Sequence, residues 1–426
     1  MSNSAESNRT DNGRGSIKWP HRYSVVLTCS VGMFIAFVDR VNISVAALAM
    51  QEDLGWTDSV KGVVLASFFG GYMATQILGG WLSHRYGGER VLLFSLIGWS
   101  ICVLLTPIAA YLWLPLLIVM RIGLGIGEGP LNPAAFSVFG RILPPTERTR
   151  AVAIYAGAGY LGTLVALIST GVLVASFGWE SVFYLWGILG VVFAFVAMRV
   201  LIPEGQSLWR IDQETVAESE QNPIPWRKLL GMRPFWALMV TFFCTCWIFY
   251  VLLLWMPSYF ATTHGVEINR TGIYSVSPWI VMLIFMNLAG WVSDALLAKG
   301  VASTIIRKTL TGVGLIGTCA MLLAVRTAAS PEIALALLCT TLAFLALAYA
   351  SQVPNVFDLA PQHAGVMFGI LNTVGSLPGL IGIAVTGFLV DVTGSFDGSL
   401  VLAGGLAILG GTVYVLFGTG KQLISD

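Results

Sequence analysis

The run Val25-Val26-Leu27-Thr28-Cys29-Ser30-Val31-Gly32-Met33-Phe34-Ile35-Ala36-Phe37-Val38-Asp39-Arg40-Val41-Asn42-Ile43-Ser44-Val45-Ala46-Ala47-Leu48-Ala49-Met50 decides how the rest of the chain is read. As a helix it is long enough to cross a bilayer whose hydrocarbon core is about 30 Å thick. Near its middle it carries a carboxylate, a guanidinium and an amide: Asp39, Arg40 and Asn42. A charge at mid-membrane costs roughly 2.5 to 3.5 kcal/mol on insertion scales, so such residues persist where they face partners or a water-filled path. The run is therefore a membrane span with a solute or proton site built into it, and the partners must come from elsewhere in the chain.

The composition agrees. Hydrophobic residues make up 56% of the 426, charged residues 11%, and the mean hydropathy is +0.80. A soluble domain carries about 25% charged residues. A formal net charge of +1 gives no electrostatic footprint for nucleic acid. Cys29, Cys102, Cys244, Cys246, Cys319 and Cys339 all fall in apolar runs, as small buried hydrophobes do. Cys244 and Cys246 are two residues apart, about 200° around a helix, and are expected to face opposite ways. His21, His84, His264 and His363 do not cluster with other metal-ligating types, and no catalytic pair appears within the spans. An enzyme and a metal cofactor are therefore not expected.

Apolar stretches long enough to span occur near 23–50, 59–82, 91–110, 113–140, 151–176 and 181–202, then near 235–262, 273–296, 308–325, 333–353, 366–388 and 399–419. This predicts an all-α integral membrane protein of twelve helices. Its organisation is a disordered cytoplasmic tail (1–22), a six-helix half (23–202), a cytoplasmic linker (203–234), a second six-helix half (235–420) and a short cytoplasmic tail (421–426). With the first residues inside, eighteen of the 23 Lys and Arg lie on the cytoplasmic side. Lys61, Arg270 and Arg326 lie opposite, and Arg40 and Arg121 lie within spans. That bias places both termini in the cytoplasm. Two echoes mark internal duplication: Gly80-Trp81-Leu82-Ser83 recurs as Gly290-Trp291-Val292-Ser293, and Thr170-Gly171 with Gly178 recurs as Thr386-Gly387 with Gly394. Parallel repeats of this kind place a substrate site between the halves near the midplane.

The fourth span holds Arg121-Ile122-Gly123-Leu124-Gly125-Ile126-Gly127-Glu128-Gly129-Pro130. Arg121 and Glu128 are seven apart, two turns, and so share a face about 10 Å from each other. Together with Asp39 and Arg40 they make two acids and two bases in the membrane interior, a set that sums to zero when ionised. A structural ion-pair network is the plain reading, and a transport site is the functional one. The alternating glycines lack the strand that a nucleotide-binding loop needs and point to close helix packing, with a kink at Pro130 and Pro133. Softer polar candidates are Tyr72 and Gln76 on one face of the second span, Tyr250 on the seventh, Ser351 ending the tenth, and Asn372 with Ser376 on the eleventh. An amide has four hydrogen-bonding positions to satisfy, which ranks Gln76 and Asn372 above an isolated hydroxyl.

At these residues the chain resembles the major facilitator superfamily, and within it the anion:cation symporter family. That family includes bacterial sugar-acid symporters, plant plastid phosphate and ascorbate carriers, sialin and vesicular glutamate carriers. The resemblance rests on Asp39 through Ala46, Ser67 through Ile77 with Gly79-Gly80, Arg121 with Gly125 and Gly127-Glu128-Gly129, Gly178-Trp179, Trp255-Met256-Pro257, and Ala364-Gly365 through Asn372-Thr373. It implies coupling roles for Asp39 and Glu128. It implies anion-binding roles for Arg40 and Arg121 and a substrate contact at Asn372, and the polar groups within spans add Asn42, Tyr72, Gln76, Tyr250, Ser351 and Ser376 as further substrate-binding candidates. It also implies a cytoplasmic gate at His84, Arg85, Arg90 and Asp294, where His84 replaces the acid usual in the superfamily's loop and Asp294 keeps it. Leu65 and Thr245 stand where vesicular glutamate carriers have His and Arg, and Leu124 stands where sialin has an acid, which argues against glutamate and sialic acid as cargo.

The expectation is proton-coupled symport of a small organic anion by alternating access, with Na+ as the alternative coupling ion. The protein is expected to act as a monomer in a lipid bilayer, in a bacterial inner membrane. The rival readings are a uniporter or anion exchanger of the same fold, phosphate included, and more remotely a transporter-like nutrient sensor.

Overall fold

The computed structural model describes residues 21–202, 230–360 and 364–422. Most of the expected tail 1–22, most of the linker 203–234 and the last four residues lie outside the described residues. Among the described residues, thirteen helices follow in order. In the first half they are α1 (His21–Leu54), α2 (Asp58–Tyr86), α3 (Gly88–Leu112), α4 (Leu114–Glu128), α5 (Leu131–Ile142), α6 (Pro145–Phe177) and α7 (Glu180–Leu201). In the second they are α8 (Arg233–His264), α9 (Ile268–Ala298), α10 (Ser303–Val325), α11 (Pro331–Leu359), α12 (Ala364–Thr393) and α13 (Asp397–Phe417). Counting α4 and α5 as one crossing, eleven are long and apolar enough to span, and α2, bent by 46° between Gln76 and Leu78, makes a twelfth. The twelve-helix expectation holds.

Local chemistry sets the ends. The Thr57 and Ser330 hydroxyls accept from the backbone N–H of Val60 and Ile333, closing the open first turns of α2 and α11. Gly178 (φ 80°) and Gly394 (φ 66°) stop α6 and α12 in a backbone region that L side chains avoid. These are the two glycines of the second sequence echo, so the duplication extends to backbone geometry. Fourth-span helix breaks at Gly129-Pro130, as the prolines predict, giving α4 and α5.

Within the first half α1 packs on α6, α2 on α4, and α3 on α4 and α7; within the second, α10 packs on α11 and α13, and α9 on α11. Lipid tails are as apolar as Leu, so association depends on close packing rather than on the hydrophobic effect. The alternating glycines of α4 serve this on two sides. A Cβ at Gly125 would run into the Phe68 carbonyl oxygen of α2, and one at Gly127 would lie 2.8 Å from Trp99 of α3. Cys244 and Cys246 do face apart, against Gly410 of α13 and Gly375 of α12. Large apolar side chains such as Val192, Phe195 and Trp291 cover the perimeter instead.

The halves meet through α2 with α12, α6 with α9, and α1 with α8. Contact is tightest on the face opposite the termini, where Gly62 lies against Gly387 and Gly272 against Leu167. Ser59 there donates to Asp391 at 2.6 Å.

Candidate functional site

Asp39, Arg40, Arg121 and Glu128 come together in the interior of the first half, each no more than 6% exposed. One ion pair forms directly: Arg40 donates through Nε (3.1 Å) and Nη2 (2.7 Å) to Glu128 Oε2. Neighbours in sequence, Asp39 and Arg40 point to different sides of α1. Asp39 instead lies within electrostatic range of Arg121, Glu128 and the Trp99 indole, and neither of its oxygens has a hydrogen-bond partner among the described residues. Arg121, 1% exposed, likewise makes no hydrogen bond or ion pair among them, while it senses the charges of Glu128, Asp39 and Arg40. The zero-sum quartet of the sequence is therefore one bonded pair beside one unbonded acid and one unbonded base.

Arg40 is also held by aromatic faces. Its guanidinium carbon lies 4.6 Å from the Phe37 ring centre, 4.9 Å from Phe68 and 4.6 Å from Tyr72. A desolvated guanidinium over a ring gains about 2 kcal/mol, and three rings with a carboxylate keep this cation dry without leaving it unpaired. The Tyr72 hydroxyl accepts from Asn132 Nδ2 at 3.4 Å, and the Tyr155 hydroxyl donates to Asn132 Oδ1 at 3.0 Å. Phe37, Phe68, Asn132 and Tyr155 were not singled out by sequence. Asn132 carried a signal, an amide just after the proline break. The rings look in sequence like any packing aromatic.

The second half contributes a facing wall. Tyr250 packs edge-on against Phe69 of α2 at 4.6 Å and lies within electrostatic range of Arg40 and Tyr72. Tyr349 of α11 adds a further hydroxyl near Tyr72, Tyr160 and Tyr250. Gln76 bridges the halves, donating to Ser376 Oγ at 3.4 Å and accepting from Thr373 at 3.4 Å. Asn372 lies one turn from Ser376, whose hydroxyl donates to its carbonyl. Asn42, 0% exposed, has neither amide atom bonded.

The structure sets two expected residues apart from their expected roles. Ser351 turns away from the site: it donates to the Arg307 carbonyl (3.0 Å) and accepts from Thr311 (3.2 Å), because its face of α11 packs on α10. Asp294 stands exposed at the end of α9. The acid that fixes this end of the second half is Asp358, which accepts from Arg307 Nε at 2.8 Å and from Ser303 at 3.0 Å. Lys61, placed by sequence on the side opposite the cytoplasm, is fully buried. At the expected first-half gate, His84 has an unbonded buried Nε2, Arg85 lies over the Trp81 and Tyr86 rings, and Arg90 donates to the Tyr86 carbonyl at 2.8 Å. The carboxylate there is Glu89, paired with Arg141.

Two packed six-crossing halves around a buried polar centre define a membrane transporter, not an enzyme. The chain belongs to the Major Facilitator Superfamily, whose model matches residues 29–383. It is 35% identical to the sodium-dependent phosphate transport protein 1, chloroplastic, of Arabidopsis thaliana over 96% of this chain and 81% of that one. It is 34% identical to the ascorbate transporter, chloroplastic, of the same plant over 96% and 76%. In fold it is similar to a bacterial homolog of the human lysosomal transporter Spinster in an inward-facing and occupied conformation. That match has a TM-score of 0.77 at 18% identity and covers 94% of this chain and 97% of that one. These named plant relatives are plastid proteins, and they lend no support to a bacterial inner membrane.

Proposed function

We propose that the chain is a proton-coupled symporter of a small organic anion, working as a monomer by alternating access with both termini in the cytoplasm. The observation that carries this is Arg121: a guanidinium buried to 1% exposure, without hydrogen bond or ion pair among the described residues, beside an Arg40 already neutralised by Glu128. A buried cation with no anion bonded to it is costly, and a carboxylate from the substrate is the bonded partner it lacks. Asp39 and Glu128 take up the proton. Desolvation favours a neutral acid and a nearby guanidinium favours the ionised one, so substrate and proton are linked through one charge balance. Protonation of Glu128 loosens Arg40, and Arg40 with Arg121 then grips the carboxylate, a task suited to the planar guanidinium fork. Tyr72, Gln76, Tyr250, Asn372 and Ser376 supply the polar contacts to the rest of the anion. One proton and one monoanion leave the summed charge at zero, as in the empty site.

A second reading is a uniporter or anion exchanger of the same fold, phosphate included; phosphate as the anion, and Na+ as the ion where coupling exists, are favoured by the name of one plant relative. One experiment separates the two. The purified protein is screened for thermal stabilisation by an anion panel, then reconstituted for uptake of the stabilising anion under an imposed pH gradient, an imposed Na+ gradient, or neither. Accumulation driven by the pH gradient and lost in Asp39→Asn supports symport. Counterflow without gradient-driven accumulation sinks it.

A further inference from the structure

We propose that Lys61 and Trp255 form a cation–π lock that joins the two halves on the face opposite the termini and sets how often that face opens. Lys61 sits in the first turn of α2 and is 0% exposed. Its Nζ lies 2.6 Å from Gln51 Oε1 at the end of α1 and 2.8 Å from Asp58 Oδ1, while Gln51 Nε2 donates to the same Asp58 oxygen at 3.2 Å. These partners all belong to the first half. The second half covers the ammonium with the Trp255 ring of α8, 4.7 Å from Nζ.

The indole is itself fixed. Trp255 is 2% exposed, and its Nε1 donates to the Ile383 carbonyl of α12 at 3.2 Å. Backbones approach beside it, for a Cβ on Gly62 would lie 3.2 Å from the Gly387 Cα and 3.4 Å from the Trp255 ring. The ring is therefore a rigid lid carried by one half over a cation carried by the other.

A lysine ammonium has three donors and is strongly hydrated. With two donors bound within its own half, it stays satisfied when the halves part, because water replaces the ring and nothing else is lost. The closed state holds a desolvated cation–π contact that the open state lacks. The lock is thus reversible, and it biases the equilibrium by about 2- to 30-fold, the range that such contacts span. Parting the halves would also uncover Lys61 at the mouth of the opened cleft, a cation on the path of an incoming anion.

The test reads distance rather than transport, so it does not depend on the nature of the cargo. Spin labels are placed at Glu52→Cys and Thr263→Cys, exposed ends of α1 and α8, in a full chain whose six native cysteines are changed to Ala. The expected result is an open fraction raised about 2- to 30-fold in Lys61→Gln. Trp255→Phe, which keeps a ring in the packed space, should give a smaller rise in the same direction. The double variant should open no further than Lys61→Gln, since both changes remove one contact. An unchanged distance distribution in Lys61→Gln, or additive effects of the two changes, overturns the lock.

Discussion

Glu128→Gln isolates charge from shape at the centre of the site. The amide keeps an oxygen where Glu128 Oε2 accepts from Arg40 Nε and Nη2 at 3.1 and 2.7 Å, in a pocket where the two side chains are 7% and 0% exposed. What it loses is the negative charge. Hydrogen bonds to charged groups contribute about 1.5 to 3 kcal/mol where neutral ones contribute about 1, so each of the two bonds weakens by about 0.5 to 2 kcal/mol, and Arg40 is released by about 1 to 4 kcal/mol, or about 5- to 900-fold. The variant thus imitates the protonated carrier permanently. In proteoliposomes, a one-unit pH gradient at one proton per anion supports about tenfold accumulation by the wild type. Glu128→Gln should fall well below that accumulation yet retain counterflow, with an apparent affinity that varies less with pH, since Asp39 remains. Accumulation equal to wild type would refute the coupling role of Glu128. Loss of counterflow in a protein that still elutes as a single folded species would place Glu128 in binding rather than coupling.

Other substitutions grade the remaining parts. Arg121→Lys keeps the buried charge but loses the planar fork, and should lower counterflow at least about tenfold while leaving the unfolding midpoint close to wild type; full activity would remove Arg121 from the anion site. Gly125→Ala puts a methyl group against the Phe68 carbonyl and should destabilise by about 1 to 3 kcal/mol, seen as a lower midpoint in a thermal-unfolding assay. Asp358→Asn leaves the half-closed Arg307 pocket without its anion and should lower that midpoint more than Gln76→Ala does, because the bonds of Gln76 to Ser376 and Thr373 are long, at 3.4 Å each.

Sequence alone determined the class and the crossings, for a reason specific to membranes. A backbone in hydrocarbon must satisfy its own hydrogen bonds, so each long apolar run is a helix, and the few charges left inside are conspicuous. Asp39, Arg40, Arg121 and Glu128 were legible for that reason, as were the proline break after Glu128 and the glycine faces of α4. Pairing among the four was not. Helical spacing places Arg121 and Glu128 on one face but does not say that Glu128 would take Arg40 from another helix and leave Arg121 and Asp39 unbonded. The aromatic cage around Arg40 is not legible in sequence, because Phe37 and Phe68 are ordinary residues of an apolar chain and Tyr72, a polar candidate, carries no sign that its ring lies on Arg40. The burial of Lys61 is not legible for a related reason: sequence places it on the side opposite the termini, where it lies, but only the meeting of α1, α2 and α8 buries it under Trp255. Which side chains face one another across helices depends on rotation and approach, and these are fixed by packing over the whole bundle rather than by any local run of residues.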